Sequence, residues 1–347
     1  MVFEAKKEIP VKVTMSIAKP LYFRSLSRTS ILMAAGIFIG MTAPHNLSSQ
    51  TTYAYVANSS DASIPVIDTS THAVVRTLKG GGLRPGLTAD ALNGKANLLL
   101  VTNQSSNTIT PISTSGKLFP DIVVGNGPAG VVFGASGEFA YVTLSRDHAV
   151  VVIDVPAKSV AARVPVEQAP MRVAIEPYSG FAVVTDKDSS AISIIDTITN
   201  QLVKTISVGV NPVGLAFTPA GALYVCDANY NMVEEVNTRT GATVAWIPVG
   251  TTPVGIAINP AGTLAIVVNQ SSSTVSIIDI ATNTVTKTLS GDFSAPSWVA
   301  FTPSGTEAYV TNNGNNTVAV IETASQTVST IIPVGGRPSG IAIGTKQ

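Results

Sequence analysis

The chain has 347 residues, 21 basic against 21 acidic, with 45% hydrophobic and 12% charged positions. That balance excludes a disordered charged tail and a chain-wide basic footprint for nucleic acid. Mean hydropathy is +0.35, yet no apolar run reaches about 18 residues, so no ordinary spanning helix is expected.

The first 50 residues differ from the rest. Lys19, Arg24 and Arg28 precede the apolar run 31–43, ILMAAGIFIGMTA. A basic segment followed by such a run reads as a secretory signal peptide, with an uncleaved N-terminal anchor as the alternative. Met15 is read as the initiator, which gives the leader a more usual basic start. Residues 51–347 then carry 15 basic and 19 acidic side chains, a net charge of −4. The single cysteine, Cys226, excludes an intramolecular disulfide, and its distance from the leader excludes lipoprotein-type attachment. No spanning segment is expected beyond the leader, and a monomer is expected.

From Thr51 onward the chain repeats. Pro85, Pro128, Pro170, Pro212, Pro253, Pro296 and Pro338 each open an apolar segment and stand 41–43 residues apart. A second marker, Asn58, Asn103, Leu144, Asp186, Asp227, Asn269 and Asn312, keeps a spacing of 41–45. Each unit predicts four short strands. In the sixth, residues 253–258, 264–268, 274–279 and 284–289 are strands. The turn 259–262 (NPAG) and the loop 269–273 separate the first three. Four strands per repeat predict an all-β, seven-bladed propeller of antiparallel blades. A parallel β-helix fits less well: the period is too long for single coils and no capping repeats stand at the ends. The repeat begins at a second strand and finishes on a lone first strand, 338–343. Pairing of those segments completes blade 1 and closes the ring.

The segments Tyr309-Val-Thr-Asn312, Tyr141-Val-Thr143, 274–279 (TVSIID) and 253–258 (PVGIAI) resemble the YVTN-type β-propeller repeat over about residues 51–344. That resemblance implies a propeller of the kind found in surface-layer and periplasmic proteins. It says little about activity.

Residues present in every blade are read as structural: the Pro-x-Gly, the Asp at 68, 154, 196 and 279, and the Asn at 58, 103, 269 and 312. A ligand site breaks the sevenfold pattern. The loops entering the first strands and those joining second to third strands are expected on one face, around the channel mouth. Two places after the proline, where Gly is usual, stand Leu87, Arg172 and Trp298. Ring closure makes Trp298, Arg337 and Arg84 neighbours, with Arg172 two blades further on. Arg146, His148 and Tyr230 add unusual chemistry on the same face. Arg offers a planar fork for carboxylate or phosphate, and Trp a stacking surface. The mouth is therefore expected to take an anionic or sugar-like molecule, or an acidic segment of a protein partner.

Three histidines and no C-x-x-C-H motif argue against haem or copper. Asp186, Asp188 and Asp227 are weak candidates for Ca²⁺ at the mouth; exchange of one strand cap for another is the plainer reading of Asp186 and Asp227. Asp90 and Glu176 are the carboxylates nearest to a lactonase-like arrangement. No G-x-S-x-G elbow accompanies the serines, and Cys226 reads as a small buried residue. The expectation is an exported, non-catalytic binding or protein-interaction platform, periplasmic or on the cell surface. A metal-dependent lactonase-like hydrolase or lyase, and single-strand nucleic-acid binding at the mouth, are the alternatives.

Overall fold

The structure is a computed structural model that describes residues 51–79, 87–93 and 97–345. The leader lies outside them. The described residues form seven four-stranded antiparallel sheets. Blade 1 combines Pro338–Thr345 with Thr52–Asn58, Ser63–Asp68 and Ala73–Lys79. Blades 2 to 7 follow in chain order; the first strand of blade 2 starts at Leu87 and those of blades 3 to 7 start at their prolines. Those first strands, Leu87–Leu92, Pro128–Phe133, Pro170–Ile175, Pro212–Phe217, Pro253–Ile258, Pro296–Phe301 and Pro338–Thr345, contact one another in ring order around the axis.

The burial of each strand follows from its place in the blade. Second and third strands are buried on both faces, as in Glu307–Asn312 and Thr274–Asp279. Their Val, Ile and Tyr residues therefore form near-continuous apolar runs instead of a simple alternation. Outermost strands alternate, as in Thr284–Leu289, because only one face meets a neighbour. The core is accordingly divided into seven wedges, one between each pair of consecutive blades.

The repeated motif works across those wedges. Each first strand carries a register shift near its start, for example between Pro170 and Val173 in blade 4 and between Leu87 and Asp90 in blade 2. A shift of this kind takes a backbone N–H out of the ladder. In blades 3, 4 and 7 a second-strand threonine supplies the missing partner. Thr143 Oγ1 accepts from Gly130 N at 2.7 Å, Thr185 Oγ1 from Arg172 N at 3.1 Å, and Thr311 Oγ1 from Trp298 N at 2.9 Å. Thr143 and Thr185 also donate to the next blade's first strand, at Met171 O and Val213 O, both at 2.8 Å. Tyr141, Tyr224 and Tyr309 reach from the same strand to the third-to-fourth-strand turn of the next blade.

The ring closes as the repeat phase predicts. Thr52–Asn58 pairs with Pro338–Thr345 from Thr52↔Thr345 to Asn58↔Pro338. The wedge beneath the seam joins Ala54, Val56 and Ile341 to Tyr309 and Val320. A chain ended at Gly336 loses the channel-side strand of blade 1 and exposes that wedge. We expect its calorimetric melt to drop and lose its single cooperative transition; an unchanged melt would show that the seam is dispensable.

Candidate functional site

The mouth is built from two loop sets that hydrogen-bond to each other. The second-to-third-strand loop donates backbone N–H groups to the linker before the proline: Ser59 to Arg337 O, Ser145 to Gly127 O, Lys187 to Ala169 O and Gln270 to Thr252 O. Both loops end on left-handed residues. His148 has φ 49°, Asn231 57° and Asn316 63°, and the pre-proline residues Ala169, Thr252 and Arg337 have φ 52°, 58° and 53°. The first residue of each pair uses its side chain as an acceptor for the N–H of the second. Asn107 takes Gly127 N at 3.1 Å, Asn231 takes Thr252 N at 2.9 Å, and Asn316 takes Arg337 N at 2.8 Å.

His148 occupies that slot in blade 3. Its Nδ1 accepts from Ala169 N at 3.1 Å. The imidazole thus stands in for a repeated asparagine and secures the passage from blade 3 to blade 4. Arg337 holds the same kind of structural backbone position, while its side chain remains exposed. Arg146 is exposed on the rim beside Gly127. Asp147, between Arg146 and His148, accepts from the backbone and side chain of Asn126 and pairs with Arg163 at 3.0 Å. Those contacts, the Asn126 bonds foremost, hold its carboxyl down at about 2. Among the described residues Arg163, and not Arg146, Arg172 or Arg337, is its ion-pair partner. Arg84 and the side chains of Leu87 and Asp90 lie outside the described part of the structure.

The channel itself is occupied. Arg172 and Trp298 stand three blades apart and meet across the axis, with the guanidinium carbon 4.1 Å from the indole centroid. Arg172 therefore does not sit apart from the Trp298 arc, as its place in the repeat suggested; it reaches over the channel to it. A cavity of about 50 Å³ remains beside the pair, bordered by Gly130, Val131, Leu215 and Gly340. The glycines at the equivalent positions are explained by the same crowding. A Cβ on Gly214 would lie 2.9 Å from Val254 O, and one on Gly130 2.7 Å from Met171 O. Tyr230 is placed elsewhere. It packs edge-on against Trp246 at 6.1 Å, at the outer side of blade 5, and the two rings are 52% and 44% exposed. Trp246 was not singled out from the sequence, because an outermost strand gives no periodic sign of which exposed residue is unusual.

The acidic candidates are not assembled into a metal centre. Among the described residues no three His, Cys, Asp or Glu side chains gather to hold an ion. Asp186 and Asp227 are fully buried at the ends of their strands in consecutive blades, and Asp188 lies in a short 3-10 turn. Asn103 and Asn269 at this position bond to the residue seven places on, Thr110 and Ser276. Asp186 accepts from Ser193 at 2.6 Å. In blade 5 the residue seven places on is Glu234, itself 1% exposed, which accepts from Gly209 N and Thr243 Oγ1. Burial pushes Asp186 up to about 7. Burial, with the Glu234 charge added, pushes Asp227 up to about 8. Cys226 is fully buried, which raises its thiol and leaves no reactive thiolate. Glu176 is tied to its own turn by Ser179.

Two outcomes follow. Asp186 and Asp227 hold their protons more tightly in the folded chain than near 3.8, where the unfolded carboxyls titrate. Stability is therefore full below that value and is lost as pH rises through about 7 and about 8. Asp227→Asn should flatten the fall and raise the melting temperature at alkaline pH, at about 2–4 °C per kcal/mol; an identical pH profile would rule the carboxyl out as its source. His148→Asn should melt like the parent, and His148→Ala should cost about 1 kcal/mol for the lost acceptor. Equal loss in both variants would assign the imidazole another role.

Comparison with known proteins gives the following. The Choice-of-anchor I domain family matches residues 164–339. No curated protein matches the chain. Hydrazine synthase of Kuenenia stuttgartiensis superposes with a TM-score of 0.71 at 21% identity, over 78% of this chain and 92% of that one. A functionally unknown protein from Desulfotomaculum acetoxidans superposes with a TM-score of 0.74 at 16% identity, over 85% and 99%. At these identities the likeness is one of fold.

Proposed function

The chain belongs to the Choice-of-anchor I domain family, a β-propeller-type family, and on that premise we propose that it is an exported, non-catalytic binding propeller whose channel mouth takes a carboxylate from an acidic segment of a protein partner. The apolar run 31–43 behind a basic segment supports export. The family's description, with its reference to anchoring, supports a place at the cell surface, and the repeat resembles the YVTN type of surface and periplasmic proteins.

The observation that carries the reading is the Arg172–Trp298 stack at 4.1 Å. The indole covers one face of the guanidinium and Nη1 donates to Ala129 O at 3.5 Å; the cation so held in orientation is the charge that meets a carboxylate entering the mouth. The cavity beside it, about 50 Å³, accommodates the tip of a side chain better than a whole sugar ring, since one water already takes about 30 Å³. Exposed Arg146 and Arg337 on the rim supply further positive charge to an acidic chain crossing the mouth.

A polyglutamate peptide is the probe, with galacturonate, Ca²⁺ and oligothymidylate as the competing arms. Polyglutamate should raise the melting temperature of the parent, and Arg172→Gln should weaken its binding about tenfold in titration calorimetry. Trp298→Phe, which keeps a ring under the guanidinium, should retain most of the affinity. Equal binding by Arg172→Gln, or stabilisation by Ca²⁺ or oligothymidylate alone, would overturn the reading in favour of the enzyme or nucleic-acid alternative.

A further inference from the structure

The strand ends opposite the mouth hold a larger opening. Between blades 4 and 5 a cavity of about 660 Å³ is framed by the turn 176–181, the turn 220–222 and the third-to-fourth-strand turn 237–239. That volume lies within the range of small-molecule pockets, about 300–1,000 Å³. We infer that this groove is a binding site for a small amphipathic carboxylate, with its apolar body on the groove floor and its charge on Arg239.

The floor is apolar because it is the open end of the wedge between the two blades. Val183, Ile194 and Val236 belong to that wedge and also line the cavity. Val203 and Val244 carry the apolar surface outward and are each 56% exposed. Tyr178 stands at the lip, 76% exposed, where blades 6 and 7 have the small residues Ala261 and Ser304. An exposed aromatic lip above an aliphatic floor accepts an aliphatic or aromatic body.

Charge decides the head group. Four charged side chains line the groove: Glu176, Lys204, Glu235 and Arg239. Three are engaged with the protein. Glu176 Oε2 accepts from the backbone and side chain of Ser179. Glu235 Oε2 accepts from Asn283 Nδ2 at 2.5 Å. Lys204 Nζ donates to Arg239 O at 3.0 Å and to Thr238 O at 3.4 Å. The Arg239 guanidinium makes no ion pair within 4 Å among the described residues, and its side chain is exposed. It also departs from the repeat, since the corresponding turn residues are Ser70, Pro156, Ile198, Ala281 and Ala324. Arg239 acts on Glu176 through space without contacting it, so an anionic head placed here gains the direct charge-assisted, two-pronged contact that Glu176, turned to Ser179, does not make.

The probe is 3-phenylpropionate, with its uncharged amide as the control, followed by saturation-transfer NMR and titration calorimetry on the full chain. The acid should bind and the amide should bind about tenfold more weakly, the effect of one lost charge-assisted contact. Arg239→Gln should erase the difference between them, and Val203→Glu, at an exposed position, should abolish binding of both. Arg172→Gln, on the opposite face, should leave binding unchanged, which separates this groove from the mouth. Circular dichroism of each variant checks that the fold is kept. Equal affinity of acid and amide for the parent, equal affinity of the acid for Arg239→Gln, or no binding of the acid at millimolar concentration would each overturn the inference.

Discussion

The structure depends on how the channel strands are tied to their neighbours where they start, at the narrowest radius of the ring. Seven strands that converge on one axis cannot all keep a regular ladder to their tips. Each slips in register near its start, just after the proline in blades 1 and 3 to 7 and after Leu87 in blade 2, and the slip takes an amide out of the ladder. In blades 3, 4 and 7 a buried threonine hydroxyl takes that amide; blades 1, 5 and 6 carry Ala57, Cys226 and Val268 at the equivalent place. In blades 3 and 4 the same hydroxyl gives its own proton to the next blade. Donor and acceptor capacity of one hydroxyl thus ties strand to strand and blade to blade at the narrowest radius. Tyrosine does the corresponding work at the far end of the wedge, and asparagine ties the second strand to the third.

Convergence also dictates what the channel can contain. Where neighbouring channel strands approach within about 3 Å of a would-be Cβ, glycine is the residue that fits. Arg172 and Trp298 depart from that rule, and they compensate each other: the cation lies on the ring in a space too small for either to be hydrated fully. Both side chains are half-buried, and a cation–π contact there is worth about 1 kcal/mol, so the pair ties blade 4 to blade 7 while it holds a guanidinium at the mouth. The opposite face has no such convergence. Its blades splay apart, the wedges open outward, and grooves of several hundred cubic ångströms form between turns.

Several features were legible before any coordinates. Two markers with one period gave the blade count and the blade boundaries, because each blade is a local four-stranded meander whose turns carry their own signals. The phase of the repeat gave the closure, since a lone strand 338–343 has one vacant place to go. The capping role of Asp68, Asp154, Asp196 and Asp279 followed from their position before a turn and is met by amides two or three residues on. For other residues the fold supplies what the repeat did not show. His148 differs from asparagine in type but matches it as an acceptor at a left-handed residue. Tyr230 shares a loop with the mouth yet turns outward to Trp246. Asp186 and Asp227 are buried in separate blades while Asp188 is exposed, and among the described residues they gather into no group of three.

The sequence by itself determined the seven-bladed ring, its seam and the residues that break its symmetry, because those properties are written in a local period of hydrophobic strands and turns. Tertiary structure alone decided what the exceptions do. Arg172 and Trp298 are separated by three repeats and meet because closure of the ring brings opposite blades within reach across a narrow axis. Arg239 and the apolar floor of blade 4 form one groove because adjacent blades diverge with radius. Distances of this kind are set by curvature, and curvature is a property of the closed ring and not of any one repeat.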